Sequence, residues 1–510
     1  MSDDAPCPQP HAGVDPAPTH ATGLVELLIH RLTRRGDGLA FLDDRPVFVP
    51  GVDVGERVEL AITERGRRLE GRVLRIHSPS PARREPGCPD ASRCPGCQLR
   101  HLTDERQGVL ALERVATMIH RATGTAVHWT WIARAPRDAA RSRVLARALT
   151  DRDGRLALGM AAGDGGVVQL GGCPVQTPAS RALIATAQTD LRAAGFTAFD
   201  PRTREGTIRH VFAEASGGGA RVVIALAHPV SDGRFAGVLA SRPEVTLAVD
   251  VLPKRGAGTF SAPRALRGHL SLPITIDGDV LRATLPAWTP QAPDTMAALR
   301  RVVVRWLAPN PTDHLVEIGC GVGTLSVPMA RVVGRLTGID RCRAAIDDAI
   351  HNAAVAEVDG TTFRVGKALH GLRRLLARGE RADLVLLHAM RRPLGPGVMA
   401  AVRALAPRRV LYLAPNPAAL ADDLRALLRR GEGTASRGRR ASTPGPTASE
   451  EETNRGQRDG LTPCPPEPAA SAPSRGGYAL TRAGVVDQAP GTMELLSVVL
   501  LTASGARASS

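Results

Sequence analysis

Lysine is almost absent from this chain: of 66 basic residues only Lys254 and Lys367 are lysines, and the rest are arginine. Ala, Gly, Pro and Arg are abundant throughout, as a GC-biased gene produces. That bias exchanges lysine for arginine but creates no net excess of positive charge. An excess is nonetheless present, since 66 basic against 50 acidic residues give a formal charge of +16 and an isoelectric point near 10.8. Such a balance suits a polyanionic partner, nucleic acid above all. Aromatics are scarce, at 3%, which leaves few ring platforms for stacking bases. No run of eighteen apolar residues occurs, so no membrane-spanning helix is expected. The opening MSDDAPCPQPHAG is acidic and has no apolar core, so it does not read as a signal peptide. The expectation is a cytoplasmic monomer with no membrane partner.

A length of 510 residues accommodates three or four domains. Residues 1–22, rich in Pro, His and Asp, read as a disordered tail. VELLIHRL, GLAFLD, PVFVP, RVELAIT and GRVLRI are short apolar runs separated by turn residues, which predicts a small β-barrel over 23–84. Residues 85–285 mix helical and strand patterns, with a hairpin turn at Asp151–Gly154, and predict a central α+β domain. From 286 to 510 strands and helices alternate, which predicts a parallel sheet with helices on both faces. Residues 432–475 interrupt that alternation with almost nothing apolar, and read as a disordered insertion.

Two stretches carry chemistry. The first is LVEIGCGVGTLSVPMA, Leu315 to Ala330. A buried-strand run ends in Gly319, Gly321 and Gly323, which let the backbone turn sharply and approach a ligand. Thr324 and Ser326 then open a helix. Asp340 follows Glu317 by 23 residues and ends the next strand-like run, where a carboxylate can accept bonds from ribose hydroxyls. The glycine spacing is not that of a dinucleotide site, and Glu317 precedes the loop. Both features point to S-adenosylmethionine rather than NAD. The second stretch is Cys88, Cys94 and Cys97 in PGCPDASRCPGCQLRHL, with Cys173 in GGCPV as the natural fourth thiolate. Four clustered thiols in an intracellular chain suit zinc or a [4Fe–4S] cluster equally.

Taken together, these pieces resemble the RNA 5-methyluridine methyltransferases that carry an iron–sulfur cluster and an N-terminal TRAM barrel. The likeness covers about 24–430 and 476–502. It rests on GDGLAFLDDRPVFVPGVDVGERVEL, CPGCQLRHL, CGVGTLSVPMA and NPAALADDL. It implies an OB-like barrel, a central domain holding a [4Fe–4S] cluster on Cys88, Cys94, Cys97 and Cys173, and a Rossmann-like class I methyltransferase domain. It also implies S-adenosylmethionine as donor and ribosomal or transfer RNA as substrate. In that family a cysteine thiolate adds to uracil carbon 6, because carbon 5 alone is too poor a nucleophile, and a glutamate later removes the carbon 5 proton.

This chain departs from the family pattern at those positions. The nucleophile's segment aligns with Ala414-Pro415-Asn416-Pro417, so Pro415 stands in its place. Leu496 takes the base's place, with Glu494 two residues earlier. His388 replaces the acid of the family's Asp-Pro-Pro-Arg segment, here His388-Ala389-Met390-Arg391. Gln291 and Asp340 match donor-binding residues, whereas Gly319 and Lys367 replace others. Cofactor residues are thus expected at Gln291, Glu317, Gly319, Gly321, Gly323, Thr324, Asp340 and His388. Two functions follow as expectations: an RNA methyltransferase, or an iron–sulfur RNA-binding protein that has lost 5-methyluridine chemistry.

Overall fold

The computed structural model describes residues 21–253, 259–389, 391–428 and 477–504. The tail expected over 1–22 and the insertion expected over 432–475 fall outside these residues, apart from Ala21 and Thr22.

The N-terminal unit is strand-rich: β1 (Ala21–Leu28), β2 (Arg31–Leu32), β3 (Gly38–Leu42), β4 (Arg45–Val49), β5 (Arg57–Arg65) and β6 (Arg68–Ser78). They form one sheet in the order β1-β5-β6-β4-β3-β2 around Val47, Val58, Leu60 and Ile62. VELLIHRL, expected as one strand, is split. Ile29 donates its amide to Glu56 and His30 donates to Leu39, so the chain changes partner there. The two edges of the sheet, β1 and β2, are therefore consecutive pieces of chain.

Next come α1 (Asp104–Thr123) and β7 (Trp129–Arg134). The Thr103 hydroxyl caps α1 by accepting from the Arg106 amide, and Gly124 ends the helix at φ 70°. The central unit follows: β8 (Arg143–Thr150), β9 (Leu156–Ala161), β10 (Val167–Gln169), α2 (Pro178–Ala193), β11 (Ile208–Ser216), β12 (Gly219–Leu226), β13 (Thr246–Val251) and β14 (Arg264–Arg267). Its seven strands run in the order β10-β9-β8-β11-β12-β13-β14. Leu183, Ile184, Ala187 and Leu191 of α2 cover one face. A buried ion pair, Arg221 to Glu214 at 2.6 Å, lies within this sheet.

The last unit holds β15 (Ser271–Ile276), β16 (Asp279–Thr284), α3 (Pro293–Leu307), β17 (His314–Ile318), α4 (Ser326–Ala330), β18 (Arg335–Asp340), α5 (Arg343–Val355), β19 (Thr361–Val365), α6 (Ala368–Ala377), β20 (Leu384–His388), α7 (Pro396–Leu405), β21 (Arg409–Ala414), α8 (Pro417–Leu428), β22 (Tyr478–Asp487) and β23 (Leu496–Ala503). Its eight-stranded sheet runs β19-β18-β17-β20-β21-β23-β22-β7. The first five strands are parallel; β23 is antiparallel to its neighbours, and β7 is parallel to β22. Helices α1, α8, α7 and α6 cover one face, whereas α3, α4, α5 and the β15–β16 hairpin cover the other. The chain runs outward from β17 to β19 and then returns to β20. The crevice between β17 and β20 is therefore the switch point where such sheets bind ligands.

Two expectations change. A domain boundary at 285 would leave α1 and β7 with the central unit. Instead β7 extends the C-terminal sheet, and Ala111, Val115, Ile119 and Trp129 join its core. The helix expected after the glycine loop is the five residues of α4, and Thr324 lies in the turn before it.

Candidate functional site

Strand β17 is buried along its whole length, and its end delivers the glycine loop to the switch point. The Gly319 amide donates to the Ile339 carbonyl at 2.8 Å, which keeps the loop against β18. Gly319 has φ 79°, and a Cβ built there would lie 2.5 Å from the His388 carbonyl oxygen. Only glycine allows this approach. Gly321 has φ 55° and its amide donates to Asp340 Oδ2 at 3.0 Å, while the Cys342 amide donates to Oδ1 at 2.8 Å. A Cβ on Gly321 would meet nothing within 4 Å, so the loop's crest faces open space. Gly323 closes the turn with its amide on the Cys320 carbonyl. Thr324 takes part through its carbonyl, which accepts from Arg300 Nε at 2.8 Å.

Glu317 lies beneath the loop. Its carboxyl is buried and accepts from Ser326 Oγ at 2.5 Å. Burial pushes its pKa up to about 8, against the Ser326 bond and with help from the Asp340 charge, so it holds a proton at neutral pH. Gln291 enters through its carbonyl, which accepts from both the amide and the hydroxyl of Ser142 and so ties the central unit to the start of α3. Lys367 is exposed ahead of α6.

His388 ends β20 opposite Leu413 of β21. Burial drives its imidazole down to about 4, against the Asp340 charge, so the ring is neutral at ordinary pH. Trp288 meets it edge-on at 6.1 Å, and the Arg143 guanidinium lies 5.1 Å above the Trp288 ring. Neither Trp288 nor Arg143 was anticipated. A tryptophan three residues before Gln291, in a chain so poor in aromatics, was the available signal.

The β21–β23 ladder ends with Ala414 opposite Ser497. Pro415 and Leu496 flank that rung, and directly opposed residues of such a ladder lie about 4.5–5.5 Å apart. The sheet thus brings the two positions together, one strand over from His388. Pro415 and Glu494 are exposed, whereas Leu496 is buried.

The four cysteines are free thiols, each half-buried. Cys94 senses the charges of Cys173 and Cys88, and Cys97 those of Cys173 and Cys94, so the four gather in one locality. The Gly96 amide donates to Cys94 Sγ at 3.4 Å. Burial pushes the Cys97 thiol up to about 11 although Arg141 and Arg100 oppose it. The donor set suits a soft metal centre. Among the described residues no group of three or more His, Cys, Asp or Glu side chains is arranged to hold a metal ion.

A methyltransferase-domain family model matches residues 309–458. An RNA methyltransferase of Nostoc sp. that is itself uncharacterized is 27% identical over 441 residues, spanning 82% of this chain and 93% of that protein. The 23S rRNA (uracil(1939)-C(5))-methyltransferase RlmD of Edwardsiella ictaluri is 28% identical over 400 residues, spanning 78% of this chain and 87% of its own. Its relatives are RNA methyltransferases. The fold is also that of the Pyrococcus abyssi tRNA (uracil-54, C5)-methyltransferase, solved with S-adenosyl-L-homocysteine. The two superpose with a TM-score of 0.64 over 94% of this chain and 100% of that one, at 16% identity. The matches to RNA methyltransferase relatives thus extend well beyond the residues that the methyltransferase-domain model matches.

Proposed function

We propose that this chain is an S-adenosylmethionine-binding RNA protein, directed at ribosomal or transfer RNA, in which the uracil carbon-5 route has been lost. The observation that carries the proposal is the end of the β21–β23 ladder. Where the route needs a thiolate and a proton acceptor, Pro415 and Leu496 stand next to the Ala414–Ser497 rung. Neither has an atom for either task. Glu494 lies two residues before β23, outside the strand, and is exposed. Cys320, beside the donor loop, is buried and its thiol is held well above its ordinary pKa, so it stays protonated.

The loop fits the donor: Asp340 for the ribose, Gly319 to Gly323 for close backbone approach, and Gln291 at the start of α3. Bound there, S-adenosylmethionine would supply an electrophilic methyl group. Glu317 is protonated and His388 neutral at neutral pH, so neither offers negative charge to a sulfonium. The six-stranded N-terminal unit serves as an RNA-binding module, and Cys88, Cys94, Cys97 and Cys173 would hold a [4Fe–4S] cluster in preference to zinc. Such a cluster would join the 88–97 loop to the central unit through Cys173.

Incubation of anaerobically purified protein with labelled donor and bulk ribosomal and transfer RNA, followed by nucleoside mass spectrometry, tests this. No 5-methyluridine is expected. Its formation would overturn the proposal. Calorimetric titration of the donor separates the remaining cases. One-site micromolar binding would direct attention to methylation at a ring or exocyclic nitrogen, and no binding at millimolar donor would leave RNA binding alone.

A further inference from the structure

A cavity lies away from the glycine loop. It is an open cleft of about 900 Å³ between β2 and the turn after it, α1 and α8. That is near the upper end of ordinary ligand sites, about 300–1,000 Å³. Five of its lining residues are arginines: Arg31 and Arg34 after β1, Arg114 and Arg121 on α1, and Arg425 on α8. Glu113 and Asp422 are the only acids lining it. Arg425 pairs with Asp422 at 3.0 Å. Arg31, Arg34 and Arg121 are exposed and have no carboxylate partner among the described residues. Arg114 is held at the base of the cleft by a bond from its guanidinium to the Met493 carbonyl at 2.7 Å. Its Nε is buried without a hydrogen-bond partner. Burial, then the nearby Arg34 charge, lower its pKa against the opposing charge of Glu494.

A second observation comes from the rim. His30 lines the cleft and packs at 5.7 Å against Phe41, which is 44% exposed. In a chain so poor in aromatics, an exposed ring beside a row of unpaired cations is the combination that binds single strands, with charges tracking the backbone and a π face taking a base. The cleft's inner end is lined by Ala418, just after Asn416-Pro417, and by Met493, three residues before Leu496. It therefore opens near the end of the β21–β23 ladder, where Pro415 and Leu496 lie.

We propose that this cleft is a track for single-stranded RNA, with Arg31, Arg34, Arg114 and Arg121 on phosphates and Phe41 under a base. The proposal rests on the RNA-binding reading above. Binding of a fluorescent oligouridine of about twelve nucleotides to the full chain, followed by anisotropy across a salt series, tests it. Arg34→Gln with Arg121→Gln should weaken binding about tenfold at low salt. The slope of log affinity against log salt should fall by about 1.4, at roughly 0.7 per lost phosphate contact for a single strand. Phe41→Ala should weaken binding about tenfold and leave the slope unchanged. Arg373→Gln with Arg378→Gln removes the same charge from exposed positions on or just after α6, away from the cleft, and should change little. Equal effects from the two arginine pairs, or none from either, would overturn the track and leave the RNA-binding reading standing. Competition by duplex RNA as strong as by single strand would overturn the single-strand assignment. Failure of the wild-type chain to bind at low salt would overturn both readings.

Discussion

Replacing Gly319 by alanine should do measurably more damage than the same change at Gly321, although both lie in one loop with positive φ. At Gly321 the alanine methyl meets nothing within 4 Å, so the cost is backbone strain alone. A non-glycine residue in the left-handed region costs roughly 1–2 kcal/mol. At Gly319 the same strain applies, and the methyl also lands 2.5 Å from the His388 carbonyl oxygen. A carbon–oxygen contact relaxes at about 3.3 Å or more, so the loop or the end of β20 must give by about 0.8 Å. Overpacking of this kind adds roughly 1–3 kcal/mol. For a domain of about 200 residues each kcal/mol lowers Tm by about 2–4 °C. Gly321→Ala should thus melt a few degrees below wild type, and Gly319→Ala about twice as far below. The shift at Gly319 also moves the loop relative to Asp340, so donor affinity should fall more than for Gly321→Ala. Scanning calorimetry and donor titration on both variants read these quantities. A Gly319→Ala protein that melts no lower than Gly321→Ala would refute the close approach of loop and strand.

Other predictions follow from the same contacts. Glu214→Ala leaves the Arg221 guanidinium buried and without its carboxylate, and should cost about 3–5 kcal/mol in urea denaturation. Glu317 has a folded pKa raised from 4.5 to about 8, so its contribution to stability is complete below about pH 4.5 and is lost as pH rises to about 8. Wild type should therefore lose stability relative to Glu317→Gln across that window, by up to roughly 5 kcal/mol at about 1.36 kcal/mol per pKa unit; parallel pH profiles would be the contrary result. Cys94→Ser should give colourless, less soluble protein, and an intact visible absorption would count against the four-cysteine cluster.

Much of the C-terminal unit was readable from sequence, because buried parallel strands such as Leu384–His388 and Arg409–Ala414 are nearly continuous apolar runs between amphipathic helices. Asp340 was readable because its distance from the glycine loop is set by one strand–helix–strand unit. Pairing partners were harder to read. WTWIAR alternates like any half-buried strand, and nothing local says that its partner is β22. The break in VELLIHRL depends on amides of Ile29 and His30 that turn to different neighbours. Strand β22 carries a register shift between Leu480 and Arg482 that no local pattern announces. Glu317 reads as a ligand-facing acid by position, and only the fold reveals the Ser326 hydroxyl that occupies it. The arginine cleft was out of reach for the same reason, since its arginines come from three distant segments and only folding brings them together.

The attachment of β7 to β22 also bears on how the chain is made. The Thr130 hydroxyl bonds the Ala483 carbonyl, 353 residues along. During vectorial synthesis the segment around Trp129 leaves the ribosome long before its partner exists, and the whole central unit is threaded out between them. Contacts of such sequence separation form late and slowly. Until they do, the apolar face of α1 has no α8 to rest on and Trp129 has no sheet to join. A fragment beginning at residue 286 would never acquire them, and β22 would be left as a bare edge open to strand addition by other chains. The C-terminal domain is thus a clasp whose two halves lie at opposite ends of the message.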